Sequence, residues 1–192
     1  MEKFVDLDRE GQAYWAGLWT DKQRRHQYYS LVYEDLLAPY RSQAGLELLE
    51  IGSAHGGSLC VWARWFDSAK IIGVDCHDNS GARQFIPELL EGAFDNIHNY
   101  LADAYSPLFY EKLGNFDIII EDAAHTERHM TQTLEIYLPR VRAGGLLVIE
   151  DINPDLVNIE RLRERCGDRK TEVRDLRALT GTMDSVCLIV YN

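Results

Sequence analysis

Basic stretches are scarce in this 192-residue chain: 20 Lys+Arg stand against 31 Asp+Glu, a formal charge of −11. A protein that tracks a phosphate backbone needs clustered cations, so general nucleic-acid binding is disfavoured. No apolar run approaches the roughly 18 residues of a membrane span. The charged opening MEKFVDLDREG offers no apolar stretch of a secretion signal. The four cysteines, Cys60, Cys76, Cys166 and Cys187, lack a short CxxC spacing, and Cys60 and Cys187 lie in apolar runs as small core residues. A reducing, cytoplasmic setting is the expectation. Repeats and low-complexity segments are also missing.

What is present is the composition of an ordinary globule, 46% hydrophobic and 27% charged, in a length suited to one domain over residues 1–192. Residues 1–22 read as an irregular or short helical arm, and 24–40 as a leading helix ending at Pro39. Together, 1–40 form a candidate lid. Strands are expected at 46–52, 69–75, near 97–103, at 116–121 and at 146–150, with Gly144-Gly145 making the turn into the last. Helices are expected at 57–67, 83–93, about 126–138 and 156–165, and segments 171–180 and 185–191 read as a closing antiparallel hairpin. This alternation predicts a doubly wound α/β fold of Rossmann-like type: a mostly parallel seven-stranded sheet with an antiparallel C-terminal strand.

In LLEIGSAHGGS, residues 48–58, small residues follow a strand and precede a helix. Gly52 permits a tight turn, and Gly56 and Gly57 allow a ligand to approach the helix terminus. The spacing is not GxGxxG, and a purely structural turn is the competing reading. Asp75, 23 residues after Gly52 at the end of the next strand, is placed to accept hydrogen bonds from vicinal ribose hydroxyls. Glu50 would suit a ligand carrying an ammonium or sulfonium better than a pyrophosphate, and Asp103 is placed for an adenine amino group. The combination favours S-adenosylmethionine over NAD. Ser53 and Ser58 in the turn, and Ala104 beside Asp103, complete the candidate cofactor set.

Two buried strands stop on carboxylate pairs, Glu121-Asp122 and Glu150-Asp151. Asp122 and Glu150 are 28 residues apart, the length of a strand–helix–strand unit, so their tips fall on neighbouring strands. Asp122, Glu150 and Asp151 are therefore candidate ligands of a hard cation, Mg²⁺ first, with Mn²⁺ or Ca²⁺ as alternatives. Helix caps and surface ion pairs are the competing reading. His125, three residues after Asp122, is the candidate general base. Lys22, His26, Tyr29 and His129 are candidates to line the acceptor or cofactor site, against a reading as solvated face or aromatic core, and Asn153 is a candidate outer ligand or acceptor contact, against a reading as a cap. Trp62 and Trp65 read as packing.

The segments TDKQRRHQYYSLVYE, LLEIGSAHGGS, IIGVD, IIIEDAAH and GGLLVIEDI resemble class I S-adenosylmethionine-dependent methyltransferases. Within that class they are similar to the metal-dependent sugar O-methyltransferases of macrolide biosynthesis, of mycinamicin and tylosin type, with DAAH standing where DGSH is more usual. The resemblance implies magnesium at Asp122 and Glu150-Asp151, a base at His125, and cofactor contacts at Glu50, Gly52 and Asp75. It implies methyl transfer to a hydroxyl of a small molecule, a sugar or glycosylated natural product, and self-association as a homodimer or larger oligomer. Alternatives are a catechol- or phenol-type O-methyltransferase, an iron-dependent hydroxylase, or a cofactor-binding protein without catalysis.

Overall fold

A computed structural model describes residues 29–54, 56–77 and 95–192. The chain runs α1 (Tyr29–Leu37), a 3-10 turn (Ala38–Tyr40), β1 (Leu46–Ile51), α2 (Gly57–Trp65), β2 (Ala69–Asp75), β3 (Ile97–Leu101), α3 (Pro107–Tyr110) and β4 (Phe116–Glu121). Then follow α4 (Glu127–Tyr137), β5 (Val141–Ile149), α5 (Ile159–Arg165), β6 (Thr171–Asp175), α6 (Arg177–Thr180) and β7 (Val186–Tyr191). One seven-stranded sheet has the order β3-β2-β1-β4-β5-β7-β6. Strands β1 to β5 are parallel neighbours, and β7 lies antiparallel between β5 and β6. This is the expected mixed α/β sheet.

Because helices cover both faces, alternate residues of each strand enter one of two cores. Leu46 and Leu48 of β1, Ile118 and Ile120 of β4, and Leu146 and Val148 of β5 meet Tyr33 and Leu37 of α1 and Leu59 and Trp62 of α2. Leu49, Ile51, Ile119, Leu147 and Ile149 meet Met130, Leu134 and Tyr137 of α4 and Leu162 of α5. Helix α4 starts where Thr126 accepts the His129 N–H, with Glu127 in the first turn. Strand order reverses between β1 and β4, so a crevice opens beyond their carboxyl ends.

Several boundaries differ from expectation. The leading helix ends at Leu37 and Pro39 lies inside a 3-10 turn, since proline fits the first positions of a new turn but not a helix interior. Gly144-Gly145 is not the turn into β5 but an irregularity inside it: Phe116 pairs with Val141, yet Ile118 pairs with Leu146. Gly144 has φ +78, and a Cβ on Gly145 would collide with the Asp117 carbonyl oxygen, so glycine is required there. Strand β3 ends at Leu101, which leaves Asp103 in the following turn. The first arm of the closing hairpin is shorter than 171–180, its end becoming α6. The arm at 1–22, residues 24–28 and the helix expected at 83–93 lie outside the described residues. No helix among the described residues is long and apolar enough to cross a membrane.

Candidate active site

The turn after β1 is built on glycine. Gly52 has φ +90, and its N–H bonds the Val74 carbonyl of β2 at 2.8 Å. A Cβ there would lie 2.7 Å from Ala123 Cα and closer still to the Asp122 carbonyl, so only glycine lets the β1 and β4 turns touch. Ala54, at φ +40, donates its N–H to Asp75 Oδ2 at 2.8 Å, and the His77 N–H donates to Asp75 Oδ1 at 2.8 Å. Asp75 thus sits at the rim of the crevice beside the glycine turn. Ser53 is buried and pairs with Asn99 Oδ1 at 2.9 Å. Gly56, at φ +78, precedes α2, whose first N–H groups face the turn. Asp103 is exposed and its Oδ1 accepts the Tyr105 N–H at 2.9 Å, while the carbonyl of buried Ala104 accepts the Tyr137 hydroxyl at 2.6 Å.

Glu50 and Ser58 depart from expectation. Glu50 is completely buried, and its Oε2 accepts the Ser58 hydroxyl at 2.8 Å and the Trp62 indole N–H at 2.9 Å. Strand parity explains it: Glu50 follows Leu46 and Leu48 onto the face that α2 covers, not into the crevice. The two side chains pair beneath α2. The packing role expected for Trp62 and Trp65 holds, both being buried.

Beyond β4 and β5, Asp122, His125 and Asp151 offer ligand atoms that all lie within 4.8 Å of one another. His125 Nε2 stands 3.1 Å from Asp122 Oδ1 and 3.7 Å from Asp151 Oδ2. Both His125 (φ +50) and Asp151 (φ +52) take left-handed backbone conformations, rare without glycine and favoured only where the surroundings fix them. Glu150 stands outside this grouping. It shares the face of Val148, is fully buried, and accepts a hydrogen bond from the Tyr33 hydroxyl of α1. The expected convergence of residues 122, 150 and 151 is therefore replaced by 122, 125 and 151. The cause is the same parity, with the turned backbone at Asp151 swinging only the second carboxylate toward Asp122.

The donors suit a hard cation. Two carboxylates face one another at ligand separation, and octahedral Mg²⁺ takes oxygen donors at about 2.0–2.1 Å. His125 lies against both carboxylates. Burial lowers the imidazole pKa, but the Asp122 hydrogen bond and the charges of Asp151, Asp122 and Glu121 outweigh it and lift it to about 9. Glu121, wholly buried at the end of β4, is pushed up to about 7 by burial and then by Asp122. Asp75, Cys76 and His77 form a second group of ligand-type side chains, but both Asp75 oxygens already accept backbone N–H groups.

The remaining candidates fall elsewhere. His129 Nδ1 pairs with Thr126 Oγ1 at 2.7 Å and its ring lies 5.1 Å from that of Tyr105. Asn153 Oδ1 accepts the Asp155 N–H at 3.0 Å, closing a local turn, while the residue that caps α5 is Asn158, whose side chain accepts the Arg161 N–H. Lys22 and His26 lie outside the described residues, and Tyr29 is described only by its place at the start of α1. Sequence reasoning missed Tyr105, Thr133 and Tyr33. Their contacts join segments distant in the chain, and no local spacing signals them.

Residues 49–152, more than half of the chain, match the family described as a methyltransferase domain. The chain is 32% identical over 144 residues to the 8-demethyl-8-alpha-L-rhamnosyl tetracenomycin-C 2'-O-methyltransferase of Streptomyces olivaceus, covering 69% of this chain and 35% of that protein. It is 31% identical over 127 residues to the mycinamicin VI 2''-O-methyltransferase of Micromonospora griseorubida, covering 62% of this chain and 30% of that protein. The chain thus spans about a third of the length of these curated relatives. Among solved structures it is similar to the MycE methyltransferase of the mycinamycin pathway in complex with Mg, SAH and mycinamycin VI. That match has a TM-score of 0.58 at 27% identity, covering 76% of this chain and 37% of that one. The glycine turn and both acidic turns fall within the matched residues, and the chain belongs to the methyltransferase domain family.

Proposed function

We propose that this chain carries out S-adenosylmethionine-dependent, Mg²⁺-dependent methylation of a sugar hydroxyl on a small natural product. The observation that carries the reading is the contact of two turns: the glycine turn at Gly52 lies against the backbone of Asp122, whose carboxylate faces His125 and Asp151. A methyl donor at the first turn and a hydroxyl at the second would be neighbours. The relatives support the acceptor class, since one is described as the 2'-O-methyltransferase of a rhamnosyl tetracenomycin and the other as the 2''-O-methyltransferase of mycinamicin VI.

In this reading Asp75 accepts hydrogen bonds from the ribose hydroxyls, Asp103 and Ala104 lie along the adenine, and the N-terminus of α2 faces the methionyl carboxylate. Asp122 and Asp151 would hold the cation, and Glu150 would join them only by leaving Tyr33. When bound, the cation would supply an electrophile that orients the acceptor hydroxyl and lowers its pKa. His125 Nε2 takes the hydroxyl proton as the oxygen attacks the methyl carbon and the carbon–sulfur bond breaks, leaving a neutral thioether. That role requires neutral imidazole, so His125 must exchange its carboxylate partners for the acceptor. His129 and Asn153 would stand at the margin of the acceptor site, with Lys22, His26 and Tyr29 as further contacts from the leading segment. Pairing of two copies belongs to the same proposal and is tested by light scattering.

The experiment is S-adenosylhomocysteine production with glycosylated acceptors carrying vicinal hydroxyls. The expected result is turnover that EDTA abolishes and Mg²⁺ restores. Undiminished turnover after rigorous metal removal contradicts the metal role, and cofactor binding without turnover on any acceptor favours a non-catalytic protein.

A further inference from the structure

Glu121 closes β4 one residue before Asp122, yet stands apart from the group formed by Asp122, His125 and Asp151. It follows Ile119 onto the α4 face and is completely buried. Its Oε1 accepts the Tyr105 hydroxyl at 3.2 Å and the Ala123 N–H at 3.3 Å, while Oε2 has no hydrogen-bond partner among the described residues. Its main-chain carbonyl accepts the Glu150 N–H at 2.9 Å, one residue before Asp151. Both acidic turns therefore hang on Glu121, one by its side chain and one by its backbone.

Tyr105 is tied at both ends. Its N–H donates to Asp103, its hydroxyl meets Glu121, and the same hydroxyl lies 3.1 Å from Thr133 Oγ1 on α4. A buried carboxylate with an unmatched oxygen is costly, and such groups persist where they serve something other than stability. The left-handed backbone at His125 likewise needs neighbours that fix it.

We infer that Tyr105 and Glu121 are positioning residues, a brace that holds the Asp122–His125 turn in the geometry a divalent cation requires and ties it to the Asp103 turn. The inference rests on the metal reading of the proposed function. Groups that orient ligands from behind shift metal affinity by about 10- to 100-fold when altered. At the Asp103 end the donor is the Tyr105 main-chain N–H, on the Asp103 carboxylate, so that bond survives loss of the Tyr105 hydroxyl.

The test is Mn²⁺ binding to the full chain, free ion being followed by electron paramagnetic resonance, in wild type, Tyr105→Phe, Glu121→Gln and the double variant. S-adenosylhomocysteine affinity is measured in parallel by calorimetry. The expected result is Mn²⁺ affinity weakened about tenfold in each single variant. The double variant should be no weaker than the worse single, and the bound-Mn²⁺ spectrum should be altered. Cofactor affinity should stay within about twofold, and kcat should fall with little change in cofactor KM. Unchanged Mn²⁺ affinity in the variants overturns the brace alone. Joint loss of Mn²⁺ and cofactor affinity with a lowered Tm overturns it in favour of a general packing role. A wild-type chain that binds no Mn²⁺ overturns the metal reading and the brace together.

Discussion

Gly52 and Asp122 meet backbone to backbone: the Asp122 N–H donates to the Ile51 carbonyl at 2.8 Å, and a Cβ on Gly52 would strike the Asp122 carbonyl. The β1 turn and the β4 turn are thereby one unit. Gly52→Ala must either push the β4 turn away or abandon φ +90. We expect S-adenosylhomocysteine and Mn²⁺ affinities each to fall by at least about tenfold, as read by calorimetry, equivalent to roughly 1.4 kcal/mol. Retention of either affinity would separate the two turns.

Asp122→Asn removes a charge from beside His125 and leaves only a neutral amide oxygen to accept its ring N–H. Its pKa should drop from about 9 toward the ordinary histidine value near 6.5. Histidine NMR titration of the metal-free protein reads this directly, and an unmoved His125 would show that Asp122 does not set its charge.

Asp151 stands in the ligand group, whereas Glu150 bonds Tyr33. Asp151→Asn should therefore weaken Mn²⁺ binding more than Glu150→Gln, by about tenfold or more against a smaller change. The reverse order would mean that Glu150 turns toward the ion once it binds.

The raised His125 pKa has a definite sign in stability. The folded state holds a proton there more tightly than the unfolded chain, so its contribution is fully present below about pH 6.5 and is lost as pH rises through about 9. Thermal melts of the metal-free protein should fall across that window, and His125→Asn should flatten the fall. The cation and this proton compete for the same carboxylates, so Mg²⁺ affinity should rise over the same window. A pH-independent affinity would contradict the competition.

Glu121 has the same sign in a lower window. Its carboxyl binds a proton more tightly when folded, so stability is lost as pH rises from about 4.5 through about 7. Glu121→Gln should make the metal-free protein more stable than wild type at about pH 8, as read by urea denaturation. A destabilised variant would mean that the carboxylate's hydrogen bonds outweigh its desolvation.

The strand ends and the strand–helix alternation were legible because apolar runs such as FDIII and LLVI stop abruptly on acids, which fixed where Asp122 and Asp151 fall. The directions of Glu50 and Glu150 were not. In a sheet covered on both sides, apolar residues occupy both parities, so the pattern does not tell which parity opens to the crevice. The left-handed turns at His125 and Asp151 carry no glycine to announce them, and Gly144-Gly145 signals a turn and an in-strand irregularity equally. Tyr105 reaches Glu121 across 16 residues, beyond any helical or strand periodicity.

The central claim is tested most directly by anomalous diffraction at the manganese edge, from crystals grown with Mn²⁺ and S-adenosylhomocysteine. The account predicts one strong peak bound by the carboxylates of Asp122 and Asp151, next to the cofactor sulfur, with the His125 imidazole turned to the acceptor side. Peaks confined to Asp75–His77 or the outer surface, with Asp122 and Asp151 still joined through His125, would contradict it.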